Sequence, residues 1–267
     1  MGIGIAARHE RCEKYWRTHL DASKAFQRKS ILSAPQSGTA VILGAGRLLD
    51  VAIDEFLQKC RRVECIDADP SARISALSRL KNGGSYLVKE ITGVLGEWTT
   101  EVNECVTQED VTKTLSNLVD QEWRPLTYPS DILLSVNLLS QIPIYWRDRV
   151  HQILKSKLSI ETDDHDKLPQ VFEELLQSTM RKLQTIHVRQ ITQSEAKLLI
   201  VIYDTAFHFY TDAGVFLTEP ALLIREEFPG YSKIDEATWS WEIAPKGIEF
   251  AAYGVRHDVK AVVLSKG

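Results

Sequence analysis

The chain is short of cysteine: four occur among 267 residues, at Cys12, Cys60, Cys65 and Cys105, with no C-x-x-C pair. That spacing offers neither a zinc cluster nor a disulfide framework, so reduced, buried thiols and a cytoplasmic protein are expected. Long apolar runs are missing; none approaches the roughly 20 residues of a membrane span, and no membrane partner is expected. The opening stretch, MGIGIAARHERCEKYW, has no sustained apolar core before its charges and does not read as a secretory signal. Ala6 stands where an acylation signal wants Ser or Thr. An excess of positive charge is lacking too: the net charge is −4 and the pI about 6.0, which argues against nucleic acid as a partner. Neither an internal repeat nor a low-complexity segment is visible. Asp163-Asp-His-Asp166 holds metal-ligand types, but consecutive acids in a polar break read as solvated loop, and no metal is expected. His9 and Cys12 read as an accidental pair.

What is present is an ordinary globular composition, 44% hydrophobic and 25% charged, in a chain long enough for one large core. Apolar positions at Tyr15, Trp16, Leu20, Phe26, Ile31 and Leu32 predict an N-terminal helix or helix pair within residues 1–38. From 39 onward strands and helices alternate. Strands are predicted at Thr39–Leu43, Val63–Ile66, Ser85–Ile91, Asp131–Val136 and Lys197–Tyr203. Helices are predicted at Arg47–Lys59, from Pro70 to about Leu80, at Tyr145–Leu158 and at Leu168–Gln190, with part of Glu101–Val119 helical. Parallel strands need crossovers, so this rhythm predicts a doubly wound α/β sheet. Trp239–Ile243 and Asp258–Leu264 have no long helix between them and predict an antiparallel pair closing the sheet edge. The expectation is a Rossmann-like domain over 39–267, mostly parallel, with insertions near 95–130 and 205–236. Ala213–Tyr231 reads as an irregular cover over its functional end.

The chemistry concentrates after the first strand. Gly44 and Gly46 make a turn in which positive φ costs little and a ligand can approach the backbone. A helix directly after it would aim free N–H groups at the same spot. Asp67 closes the next strand about 23 residues later, where an acid accepts from ribose hydroxyls. Asp69 is better placed to cap the helix at Pro70. A dinucleotide site wants a third glycine where Leu49 stands, which argues against NAD or FAD and suits a cofactor without pyrophosphate.

VILGAGRLLDVAI followed by VECIDADPSA resembles the first two motifs of class I S-adenosylmethionine-dependent methyltransferases, and DILLSVNLLSQIP resembles their fourth. The alternating order and final strand pair look like the same superfamily, over about residues 39–264. The resemblance implies S-adenosylmethionine as cofactor. It implies Gly44, Ala45 and Gly46 beside the amino-acid part, Asp67 on the ribose, Ala68 by the adenine, and Asn137 and Leu138 near the methionine portion. The sequence departs where an acid often precedes the glycines, since Leu43 stands there. For the third-motif acid, Glu90 is the candidate and Gln108-Glu109-Asp110 the alternative. Asn137-Leu-Leu-Ser140 lacks the Asn/Asp-Pro-Pro-aromatic tetrad of nucleic-acid amino-methyltransferases, which with the acidic pI argues against base methylation; the expected acceptor is a small molecule or a protein side chain.

His208 and Tyr210, past the fifth strand, are the candidate general bases; the alternative is that they only line the cleft. Tyr15 and Trp16 read as core before cofactor lid, and Tyr145-Trp146-Arg147-Asp148 as pocket wall or as ordinary helix packing with a surface ion pair. The competing functions are a methyltransferase-like scaffold without turnover and a nicotinamide-dependent oxidoreductase.

Overall fold

Successive strand residues point to opposite faces of a sheet, and here both faces are apolar. In the computed structural model, which describes residues 2–34, 37–81, 83–158 and 168–267, Ala40 and Ile42 of β1 (Ser37–Leu43) enter one core. Val41 and Leu43 enter the other. The strands that follow are β2 (Cys60–Asp67), β3 (Gly84–Val88), β4 (Ile132–Val136), β5 (Leu198–Thr211), β6 (Gly214–Pro220), β7 (Tyr231–Ala244) and β8 (Gly254–Lys266). They form one sheet in the order β3-β2-β1-β4-β5-β8-β7, with β6 paired to β5 off that path. Strands β1 to β5 are mutually parallel where they pair, whereas β8 is antiparallel to both β5 and β7. The fold is therefore the doubly wound, mostly parallel, Rossmann-like sheet with an antiparallel C-terminal pair that the alternation predicts.

Helices α1 (Gly2–Ser33), α2 (Ile53–Lys59) and α3 (Arg73–Leu80) cover the first face. The second is covered by α6 (Leu138–Leu158) and α7 (Gln170–Gln193), through Leu139, Val188 and Ile191. Helices α4 (Leu95–Glu104) and α5 (Gln108–Asp120) pack with α6 and α7 into a further core around Trp98 and Trp146.

Four expectations are corrected. The helix predicted over Arg47–Lys59 is helical only at α2. Its apolar spacing is spent on a buried turn in which Leu48, fully buried, has φ +58°. The helix expected from Tyr145 begins at Leu138, immediately after β4. β5 runs to Thr211 rather than Tyr203, because β8 pairs with it as far as Tyr210 and β6 pairs with its last residues. The cover expected at Ala213–Tyr231 is partly the strand β6, which takes the edge of β5 that β4 leaves at Ile202. The N-terminal segment is one helix of 32 residues. Asp163–Asp166 lies outside the described residues. No helix among the described residues is long and apolar enough to cross a membrane, and all four cysteines are buried and free.

α1 shows apolar and polar residues alike to the core. Its buried Ser23 and Gln27 both donate to the carbonyl of Asp50, at 2.8 and 2.7 Å, and Gln27 Oε1 accepts from Ala52 N at 2.9 Å. These bonds satisfy the backbone of the non-helical 50–52 segment and pin α1 to it.

Candidate functional site

Strand order runs outward in one direction from β1 to β3 and in the other from β4 to β5, so the reversal falls between β1 and β4. Ligands of such sheets bind outside the carboxyl ends of the strands at that point. Gly44 follows β1 there with φ +72°, and Gly46 comes two residues later with φ +46°. A Cβ on Gly44 would lie 2.6 Å from the Val136 carbonyl and 2.8 Å from Leu138 Cγ, whereas one on Gly46 would meet nothing within 4 Å. Gly44 thus lets β1 approach β4, and Gly46 leaves its upper side open.

Asp67 is joined to this turn. One carboxylate oxygen accepts from Gly46 N at 2.8 Å and the other from Asp69 N at 2.8 Å. Burial raises its pKa, and the backbone hydrogen bonds oppose the rise. A carboxylate has about four acceptor positions, so two stay free for hydroxyls. Asp69 accepts from Ser71 N at 2.9 Å and caps the short Pro70–Ala72 turn, as the sequence predicts. Ala68 lies between the two acids, exposed. Tyr86 donates to the Gly46 carbonyl at 3.1 Å, and Arg79 to that of Leu48 at 3.2 Å.

Across the reversal stands Asn137, with φ +57°. Its N–H donates to the Ile202 carbonyl at 2.7 Å and its side-chain amide to Asp50 Oδ2 at 3.2 Å, while Oδ1 is buried without a partner. Burial pushes the Asp50 carboxyl up to about 6. Gly44, Ala45, Gly46, Asp67, Ala68, Asn137 and Leu138 therefore share one rim. Glu90 follows β3, but its carboxylate accepts from Thr92 N, Thr92 Oγ1 and Gly93 N within its own turn. Asp110, in the alternative acidic stretch, completes the capping box of α5 with Thr107.

The two candidate bases are engaged with neighbours. His208 Nδ1 lies 3.0 Å from Thr218 Oγ1 and Nε2 2.8 Å from Asp258 Oδ2. Tyr210 donates to Glu242, and burial first, then that bond, pushes its pKa up to about 12. Tyr210 and Glu242 line an open groove of about 460 Å³ with Lys14, Tyr15, Ser240 and Arg256. Trp16 is buried core, Trp146 donates to Thr179 Oγ1 at 2.7 Å, and Arg147 pairs with Asp148 on the surface.

A second polar group lies under α1 that the sequence reading did not single out. Asp204, fully buried near the middle of β5, accepts from Ser140 Oγ at 2.9 Å. Its other oxygen is 3.2 Å from His257 Nδ1 on β8, at ion-pair distance but not aligned as a hydrogen bond. Trp241 on β7 meets His257 edge-on at 5.5 Å between centroids, and the ring of His19 on α1 stacks on Trp241 at 4.0 Å. No local signal exposes this group; it needs the β5–β8 and β7–β8 pairings.

No family model matches the chain, and no curated protein matches it. Solved structures do resemble it. Pyrococcus horikoshii PH1948, a candidate RNA methyltransferase, aligns at 11% identity and TM-score 0.44, covering 93% of this chain and 83% of its own. The N-methyltransferase NodS from Bradyrhizobium japonicum aligns at 10% identity and TM-score 0.40, covering 92% and 97%. Coclaurine N-methyltransferase bound to N-methylheliamine and S-adenosylhomocysteine aligns at 10% and 0.41, covering 92% and 72%. At such similarity the statement of fold rests on the strand order itself.

Proposed function

We propose that the chain is an S-adenosylmethionine-dependent methyltransferase acting on a small molecule or a protein side chain. The observation that carries this reading is the bond from Gly46 N to Asp67 at 2.8 Å, which fixes glycine turn and acid together at the sheet's reversal point. The residues present suit the cofactor. Gly46 leaves room over the turn, Asp67 keeps acceptor positions for two ribose hydroxyls, and the orphaned Asn137 Oδ1 offers an acceptor to an ammonium group. Asp50 and Asp67 give the rim the negative character that a sulfonium prefers.

In this reading Gly44, Ala45 and Gly46 receive the amino-acid part, Asp67 and Ala68 the adenosine, and Asn137 and Leu138 the methionine portion. Glu90 would act through the turn it organises after β3. The bound cofactor supplies an electrophilic methyl group. The protein's main task is alignment of the acceptor for in-line displacement, which can contribute several kcal/mol, up to about 7–11 where geometry is ideal. His208 and Tyr210 would line the acceptor side rather than take protons, because their polar atoms are bound to Thr218, Asp258 and Glu242.

Calorimetry with S-adenosylhomocysteine and, separately, NAD tests the reading. Binding of the first and not the second is expected. Binding of NAD alone would replace the methyltransferase with an oxidoreductase.

A further inference from the structure

The buried polar atoms under α1 are unpaired in a way that points to a ligand. Trp239 Nε1 donates to His19 Nδ1 at 3.0 Å, and an indole N–H can only donate. His19 is held neutral, its pKa pushed down to about 4 by burial. Its proton is therefore on Nε2, a buried donor without a partner. Trp241 Nε1–H is a second such donor, and Asp204 Oδ1 and His257 Nδ1 have only each other. A buried orphan costs about 1–3 kcal/mol, and His19 Nε2 and Trp241 Nε1 are two such donors in rings that stack on each other beside the Asp204–His257 pair.

We propose that Asp204 and His257 form the proton-accepting pair for a small-molecule acceptor that carries an ionisable hydroxyl, held beneath α1. The proposal rests on the methyltransferase reading. Asp204 is a positioning residue: anchored by Ser140, it holds the Nδ1–H of His257 and leaves Nε2 as the base. The 3.2 Å separation is within hydrogen-bond reach, and catalytic hydrogen bonds are often poorly aligned before substrate binds. The His257 side chain keeps 11% exposure, so one edge stays accessible. The two spare N–H donors, His19 Nε2 and Trp241 Nε1, favour an oxygen that gains negative charge and would oppose an ammonium. α1 covers the group, which favours a small acceptor over a protein side chain. Asp204 on β5 lies 3.2 Å from His257, and His19 on α1 interacts electrostatically with both.

In the step, the acceptor hydroxyl gives its proton to His257 Nε2 as its oxygen takes the methyl group. The O–C bond forms, and the C–S bond breaks with its electron pair left on sulfur. The imidazolium, stabilised by Asp204, then passes the proton to water.

The test uses the full chain, labelled with 15N-histidine and loaded with S-adenosylhomocysteine, with 4-nitrophenol as the probe at mildly acidic pH. Nitrogen spectra are expected to show His257 protonated on Nδ1 and bare on Nε2. Addition of 4-nitrophenol is expected to convert it to imidazolium as phenolate absorbance appears. His257→Gln and Asp204→Asn should both retain S-adenosylhomocysteine affinity, and His257→Gln should lose the phenolate signal. For a turned-over hydroxyl acceptor, His257→Gln should lower kcat at least about 100-fold with KM little changed. A proton on Nε2, no response to 4-nitrophenol, or equal phenolate in His257→Gln would overturn the pair. The wild-type spectrum decides even where a variant does not fold. A wild-type chain that fails to bind S-adenosylhomocysteine refutes the methyltransferase reading instead.

Discussion

His187 and His19 are both almost fully buried, on opposite faces of one sheet, and burial pushes both pKa values down to about 4. Their surroundings differ. His187 has Ser135 Oγ 2.8 Å from Nε2 and Gln190 Oε1 3.3 Å from Nδ1. The amide of Gln190 in turn donates to the carbonyls of Ile91 and Thr92, so that network closes on itself. His19 has one partner, and its neighbours Trp241, Asp204 and His257 are left with spare donors and acceptors. On the side of α4 to α7, Trp98 and Trp123, 6.0 Å apart between ring centroids, also carry unpaired indole N–H groups, but no titratable pair is in ring contact with them among the described residues. A closed polar network serves the fold; donors left unmet beside a buried ion pair call for another explanation.

The largest effect should separate the two networks. His187→Ala leaves a cavity and strips partners from Ser135 and Gln190, and should cost about 3–5 kcal/mol in denaturant unfolding. Asp204→Asn should change stability by only about 1 kcal/mol, since one oxygen of that carboxylate is barely satisfied. Equal losses would erase the distinction between the faces.

Acid should act on both faces alike. A histidine whose folded pKa is depressed from 6.5 to about 4 binds its proton more readily when unfolded. Its contribution is present above pH 6.5 and is lost as pH falls toward 4, by about 3 kcal/mol for each residue. Unfolding curves between pH 7 and 4 should show this slope, and His19→Gln or His187→Gln should each remove about half of it. A slope unaffected by both substitutions would place the titration elsewhere.

Next comes the rim. Asp67→Ala should weaken S-adenosylhomocysteine binding about 10- to 100-fold in calorimetry, the value of one or two hydrogen bonds to a charged acceptor. Unchanged affinity would remove Asp67 from the ribose position.

The rim was legible in the sequence because its parts lie at strand ends that local patterns mark: an apolar run before Gly44, another before Asp67, a third before Asn137. The turn between Gly46 and α2 was not. Leu48, Leu49, Ala52 and Ile53 have helical spacing, yet Ser23 and Gln27 of α1 hold the Asp50–Ala52 backbone in a non-helical path. Polar residues on the core face of α1 weakened its apolar period, since their partners lie more than 20 residues downstream. The Asp204–His257 contact spans 53 positions and exists only through the register of β5 with β8.

The smallest effect tests the acidic stretch that competed with Glu90. Thr107 Oγ1 accepts from Asp110 N at 3.1 Å, and Asp110 accepts from Thr107 N at 2.9 Å, so this acid closes the start of α5. Thr107→Ala should cost about 1 kcal/mol in denaturant unfolding, the usual value of a lost helix cap. It should leave S-adenosylhomocysteine affinity unchanged, because the capped end belongs to the core shared by α4 to α7 and not to the rim. A parallel loss of affinity would bring Asp110 to the cofactor and take Glu90 away from it.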